Sequence, residues 1–294
     1  YYGDGKEFGV NITYIYQEKP KGISHAIRLC KEFVGNDKFI VYLGDNVLRK
    51  NLTDYTKKFS SSDLDAMILL CEVDNPSKFG VAYVDKDDSS KIKNIIEKPK
   101  NSTSNLAVIG VYFLTPKIFG IIDNLKPSSR GELEITDALQ LLMDKGNTIA
   151  HDVVTGWWKD TGTPEDIIHA NRLVLDSIGT ENQFLAEKDI STKGNIIIGS
   201  NTNISQDSSI TGPAIIGKNC KIESGVRLGP YVSIGDGCTL ENCSIENSII
   251  MENCRIDAQV NLVSSIIAQS SQIDGNAISE KSQFLLGERT HLKL

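Results

Sequence analysis

The sequence predicts two architectures in series, an α/β layered half over residues 1–180 and a parallel β-helix over residues 196–294, joined by a linker at 181–195. Three observations predict it. In the first half, short β-branched runs alternate with segments of helical period, the pattern of α/β layering. In the second, Ile198, Ile204, Ile210, Ile216, Ile222, Leu228, Ile234 and Leu240 recur every six residues, the hexapeptide signature of a β-helix. Finally, Leu43-Gly44-Asp45-Asn46 and Trp157-Trp158-Lys159-Asp160-Thr161-Gly162 each set an aspartate where an apolar run stops. A parallel sheet presents carboxylates in this way at the carboxyl edge of its strands, where open α/β folds bind ligands.

Taken in order, Val10 to Tyr16 is β-rich and predicts a strand. Ile23, Ala26, Ile27, Cys30, Phe33 and Val34 mark one face of a helix. Phe39 to Leu43 is a continuous apolar run, as in a strand buried on both faces. Asp65 to Val73, Phe79 to Val84, Ile92 to Ile96 and Val108 to Leu114 are further strands, and Glu134 to Asp144 is a helix. Pro164 to Ser177 is another helix, with the proline in its first turn.

In the second half one aliphatic residue per hexad points inward, and three sides close a coil of about 18 residues. The rhythm resumes at Ile250, Ile256 and Leu262, then at Ile267 and Ile273. The step from Leu240 to Ile250 is ten residues rather than twelve, which predicts a tightened corner near Asn242-Cys243-Ser244. Cys220 and Cys238 lie 18 apart and are expected to stack on neighbouring coils as half-buried turn residues. Phe284 to Leu294 leaves the hexad pattern and is expected to form a closing strand, since a solenoid needs a cap.

The net charge of -7 disfavours nucleic acid and anionic membrane as partners. No run approaches the ~18 apolar residues of a membrane span. The six cysteines form no CxxC pair and predict reduced thiols and a cytoplasmic setting.

Asp45 and Asp160 suit one Mg²⁺ against a nucleotide phosphate, because Mg²⁺ takes one or two carboxylates and completes its shell with phosphate and water. Other short motifs accompany them: Gln17-Glu18-Lys19-Pro20-Lys21-Gly22, Phe79-Gly80-Val81, Glu97-Lys98-Pro99, Gly110-Val111-Tyr112 and Arg130-Gly131-Glu132-Leu133-Glu134-Ile135-Thr136-Asp137. In this order, with a β-helix behind them, they resemble the sugar-1-phosphate nucleotidylyltransferases over essentially the whole chain. Within that family they resemble the long-form glucose-1-phosphate thymidylyltransferases.

That resemblance implies a Rossmann-like nucleotidyltransferase sheet, a left-handed β-helix and transfer of a thymidylyl group from dTTP to glucose 1-phosphate. Asp45 and Asp160 would hold Mg²⁺ on the α-phosphate. Gln17 and Gly22 would meet the thymine, the glutamine pairing with the base edge. Lys21 departs from the acidic residue of short-form relatives. Gly80 would bring backbone to a sugar hydroxyl, Glu97 would accept from sugar hydroxyls, and Lys98 and Arg130 would contact the sugar phosphate. Tyr112 and Trp158 would line the sugar site, with core packing as the competing role for each. A sugar phosphate is already an anionic nucleophile, with a second pKa of about 6. Positioning and charge neutralisation then suffice, without a general base.

The family also carries an amino-terminal Gly-x-Gly-Thr-Arg-Leu loop and a Pro-Lys segment, which residues 1–294 do not contain. The expectation is a chain that begins within the family's pattern, without the first strand of its sheet, and is inactive by itself. Three other functions compete. One is another nucleotide and sugar: UTP with N-acetylglucosamine 1-phosphate, or ATP with glucose 1-phosphate. Another is acyl transfer, disfavoured because His25, His151, His169 and His291 all lie outside the hexad run. The last is a non-catalytic regulatory subunit. The flat sides of the β-helix suggest a homo-oligomer.

Overall fold

The computed structural model describes residues 2–178 and 191–294, with backbone alone at 276–279. The chain divides into two compact units, Tyr1–Trp158 and Lys159–Leu294.

The first unit is built on a mixed sheet. In chain order its elements are α1 (Ile23–Leu29), α2 (Lys31–Val34), β1 (Phe39–Tyr42), β2 (Asn46–Leu48), α3 (Thr53–Ser60), β3 (Ala66–Glu72), β4 (Gly80–Val84), β5 (Ile92–Glu97), β6 (Leu106–Leu114), α4 (Lys117–Ile122), α5 (Ile135–Asp144) and β7 (Ile149–Val153). The sheet order is β5-β4-β6-β3-β7, with β1 also on β6. β3 runs parallel to β7, but β6 is antiparallel to β1, β3 and β4. The expected all-parallel edge is thereby corrected to a mixed sheet centred on one long strand. Alternation along β3 and β6 feeds two cores. Ile68, Leu70, Val108, Tyr112 and Leu114 pack under α1, α4 and α5, while Met67, Leu69, Ile109, Val111 and Phe113 pack with Tyr55 and Phe59 of α3.

Two strand expectations change. Residues 10–16 lie in no strand, and Val10, Tyr14, Ile15 and Tyr16 are exposed. β-Propensity measures fit to a pleated, half-buried surface, and no described strand pairs with this segment. β1 is also not buried on both faces: it pairs with β6, and Ile40 and Tyr42 alternate outward.

The second unit opens with β8 (Trp158–Asp160), whose first residue belongs to the first unit, and α6 (Pro164–Asp176). Thr163 caps α6, its hydroxyl oxygen accepting from the Asp166 N–H, and Pro164 occupies the first turn. α6 is held to the β-helix by Ser233 Oγ donating to Asn171 Oδ1 at 2.6 Å and Arg172 Nε donating to Asn247 Oδ1 at 2.5 Å. The compact division therefore precedes α6, where the change of sequence period suggests a boundary near 180. Residues 181–190 of the expected linker lie outside the described residues. Ser191–Lys193 already pairs in the β-helix, against Ser209–Thr211.

The hexads stack as expected. Ile198, Ile216, Ile234, Ile250, Ile267 and Leu286 form one column, and Ile204, Ile222, Leu240, Ile256, Ile273 and Leu292 another, all in parallel register. The third runs through Ile210, Leu228, Ile245 and Leu262. Ile245 shows how the short coil closes: Leu240, Ile245 and Ile250 make two five-residue sides. The tightening is shared between corners at Asn242 and Asn247, both left-handed at φ 53° and 48°, instead of one corner. Cys220 and Cys238 do stack, and Cys254 continues their column. The final segment is another coil: His291–Lys293 pairs parallel with Gln272–Asp274. Leu286 and Leu292 extend the core where a closing strand was expected.

Candidate active site

Asp45 follows β1 at the point where the chain leaves the sheet. β1 and β4 both lie on β6, at Val111–Leu114 and at Ala107. Between those pairings the Leu43 N–H donates to the Gly110 carbonyl at 2.8 Å. The β3–β6 register slips here, and the extra backbone of β6 falls around Gly110. Into this irregularity goes the buried side chain of Asn46. Its Oδ1 accepts from the Gly110 N–H at 2.9 Å and from Trp158 Nε1 at 2.7 Å, and its Nδ2 donates to Asp45 Oδ1 at 2.8 Å. A Cβ on Gly110 would meet the Asn46 amide at 2.5–2.8 Å, which explains the glycine. Asp45 itself is exposed.

Glu97 ends β5, opposite Gly80. Thr136 Oγ1 donates to Glu97 Oε2 at 3.0 Å. A Cβ on Gly80 would strike the Thr136 methyl and come within 3.2 Å of that same Glu97 oxygen, so Gly80 makes room for this pair. Arg130 reaches Glu97 Oε1 at 3.1 Å and grips both Glu134 oxygens at 2.9 Å, with Ser128 Oγ donating to Glu134 at 2.7 Å. This fork-to-carboxylate geometry fixes the guanidinium. Burial raises the Glu97 pKa; the Thr136 hydrogen bond opposes it, Glu134 adds to it, and Lys98 and Arg130 oppose it. Lys98 is half-exposed, with Nζ 3.8 Å from Glu97, and its backbone is left-handed at φ 43°. Such a conformation is uncommon for lysine and turns the chain sharply after β5.

Tyr112 lies buried on β6. Burial first, then the charges of Glu97 and Asp45, push its phenol well above the ordinary range. Both carboxylates therefore bear on one tyrosine. Trp158 is packed against the core, its ring edge-on to Phe79 at 5.4 Å. Asp160, the last residue of β8, accepts from the Gly162 N–H at 3.1 Å.

Gln17 and Gly22 sit before α1, in the lining of a cleft of about 570 Å³ between α1, α2 and β1. Asp45, Glu97, Lys98 and Arg130 are absent from that lining, so this cleft and the cluster of charged residues are different places. Gly22 has φ 96°, and a Cβ there would lie 2.5 Å from the Leu133 carbonyl. Backbone packing on Leu133 thus already requires glycine. Sequence reasoning passed over Asn46, Thr136 and Glu134 as connected groups. Asn46 stood beside Asp45 in the motif, but its partners are 64 and 112 residues away.

A mixed α/β sheet with carboxylate and guanidinium groups gathered over one strand, followed by a hexapeptide β-helix, is the build of a nucleotide-sugar nucleotidyltransferase. Comparison with known proteins agrees. Residues 1–177 match the Nucleotidyl transferase family and residues 210–293 match the GMPPB C-terminal domain. The chain is 45% identical over 295 residues to the low-salt glycan biosynthesis nucleotidyltransferase Agl11 of Haloferax volcanii, covering 99% of this chain and 82% of that protein. It is 35% identical to a glucose-1-phosphate thymidylyltransferase of Streptomyces antibioticus, with the same coverage of 99% and 82%. Among solved structures, a provisionally assigned glucose-1-phosphate thymidylyltransferase from Bacillus anthracis, solved with sucrose, is similar at TM-score 0.55 and 42% identity, over 62% of this chain and 72% of that one. The chain belongs to the Nucleotidyl transferase family. No helix among the described residues is long and apolar enough to cross a membrane.

Proposed function

We propose that the protein transfers a thymidylyl group from dTTP to glucose 1-phosphate, giving dTDP-glucose and pyrophosphate. The observation that supports this reading is the strand arrangement: β1, which ends before Asp45, pairs with β6 at Tyr112, and β4, which carries Gly80 opposite Glu97, also pairs with β6. The carboxylate assigned to the metal and the carboxylate assigned to the sugar thereby flank one strand. The phosphate of glucose 1-phosphate attacks as a dianion, its second pKa being about 6. Glu97 accepts from sugar hydroxyls, while Lys98 and Arg130 meet the sugar phosphate. Gly80 shapes the sugar side, backed from the core by Tyr112 and Trp158, and Gln17 and Gly22 the base side.

Asp45 and, by its motif, Asp160 are assigned to Mg²⁺. The donors fit a hard cation, and Asn46 holds the Asp45 carboxylate in place. Among the described residues no three His, Cys, Asp or Glu side chains gather as a metal site. When bound, Mg²⁺ supplies charge neutralisation at the α-phosphate.

The test offers the full-length protein glucose 1-phosphate with dTTP, UTP, ATP or GTP and Mg²⁺, and measures pyrophosphate release. A clear dTTP preference is expected; equal or better use of another nucleotide would sink the thymidylyl assignment. Uridylyl transfer is the second reading, because thymine and uracil share the imide edge that a glutamine amide recognises. A homo-oligomer and a cytoplasmic setting belong to the same proposal, the second supported by six free thiols.

A further inference from the structure

Beside Gln17 stands His25, a residue the reaction does not call for. Gln17 Nε2 is 3.3 Å from the Gly22 carbonyl oxygen and 2.8 Å from His25 Nδ1. A carbonyl can only accept, so the atom facing Gly22 must be the amide NH₂. The same nitrogen then donates to His25 Nδ1, which must be unprotonated, leaving the imidazole proton on Nε2. Both amide hydrogens are committed by these two contacts. The polar atom left to meet a nucleotide base is the acceptor Oε1, which matches the N3–H of a thymine or uracil imide.

We propose that His25 is the positioning residue for base recognition: its unprotonated Nδ1 fixes the Gln17 amide with Oε1 available to the imide N–H of a pyrimidine nucleotide, and protonation of His25 reverses the amide and weakens that binding. This rests on the reading of Gln17 as the base contact. The reversal follows from donor and acceptor logic. A protonated Nδ1 donates and needs Oε1 in place of Nε2. The flipped amide then turns an oxygen towards the Gly22 carbonyl and an NH₂ towards the imide N–H, two mismatches at once. The charged groups bearing on His25 are Arg28 on its own helix and Lys21 in the loop before it, while Glu132, ahead of α5, lines the cleft that Gln17 lines. Burial, then Arg28 and Lys21, lower the His25 pKa from 6.5, so the neutral ring is the form at neutral pH.

The experiment titrates the full-length protein with dTDP-glucose by calorimetry at pH 7.5 and pH 5. The pyrophosphate diester of this probe keeps one charge state across that range, unlike dTTP or glucose 1-phosphate. For the wild type, binding is expected to weaken about tenfold at the lower pH, the loss of one well-placed hydrogen bond. His25→Asn keeps an acceptor near the Nδ1 position without ionising, and should bind equally at both pH values. His25→Phe should bind weakly at both. Loss of affinity with pH in His25→Asn equal to that of the wild type would overturn the inference. So would a pH-independent wild type alongside a weakened Gln17→Ala, an outcome that leaves the base reading standing. Unimpaired binding by Gln17→Ala would remove the base reading, and the inference with it. A second measurement requires no variant. The ¹⁵N shifts of His25 at pH 7.5 should report the Nε2–H tautomer, and an Nδ1–H tautomer would contradict the proposal.

Discussion

Asn46 spends one amide on three groups: the backbone of Gly110, the indole of Trp158 and the carboxylate of Asp45. Asn46→Ala strands the buried Gly110 N–H and the part-buried Trp158 Nε1–H. It is expected to lower unfolding free energy by about 1–3 kcal/mol in urea titrations. It should also reduce kcat for pyrophosphate release more than it raises KM for the sugar phosphate, because Asp45 loses its orientation. A variant that unfolds with the wild type would dismiss this account. Glu97 obeys a different logic. Burial raises its folded pKa above the unfolded value, so its contribution to stability is present below the unfolded value and lost as pH rises through the folded one. Glu97→Gln should therefore leave the melting temperature at pH 7.5 unchanged or higher while raising KM for glucose 1-phosphate. A lowered melting temperature would mean that the bonds from Arg130 and Thr136 outweigh burial. Asp45 was legible in the sequence because an acid where an apolar run stops is a local signal, whereas Glu97 was reached only through its Glu97-Lys98-Pro99 motif. Asn46 was not, since a neutral amide carries no signal until its distant partners are known.

At the scale of elements, the short coil tests what the hexad count means. Inward placement, and not the number six, is what the core demands. Leu240, Ile245 and Ile250 keep it with two five-residue sides because Asn242 and Asn247 take left-handed corners, which asparagine tolerates. Ile245 is fully buried, whereas Ile249 is only half-buried. Ile245→Ala should cost about 2–5 kcal/mol, measured by urea unfolding. Ile249→Ala should cost much less, and equal costs would show that the register of this coil is wrong. The two asparagines were visible in the sequence; what hid Ile245 was the assumption of a constant period. Residues 10–16 failed in the opposite sense. Their β-branched and aromatic content favours a strand, but strand formation is settled by a neighbour. The direction of β6 was equally out of reach, because antiparallel pairing with β1 and β3 depends on residues far apart in the chain.

Over the whole molecule, the two periodicities were readable because each repeats over many residues, and the resulting units differ in how they bury their thiols. Cys30 and Cys71 lie half-buried in the first unit; Cys220, Cys238, Cys243 and Cys254 are buried in the second. Burial raises Cys30, Cys71 and Cys220, and pushes Cys243 up to about 12. Raised thiols hold less of the reactive thiolate at neutral pH; Cys238 and Cys254 share a hydrogen bond that raises the first and lowers the second, but both are fully buried, and burial denies reagent access. An aromatic disulfide reagent at pH 8 should thus label no more than Cys30 and Cys71 in the native protein, and all six cysteines in strong denaturant. The four thiols of the second unit share one contiguous apolar core running from Ile196 to Ile273. Each coil there buries its face only against the next, so opening one coil exposes its neighbours. As urea increases, those four should become reactive together, at a midpoint that need not coincide with that of Cys30 and Cys71. Mass spectrometry of pulse-labelled peptides separates the sites. Early labelling of Cys220 or Cys238 in native buffer, or reaction of the four one after another across a wide urea range, would contradict a single closed β-helix core.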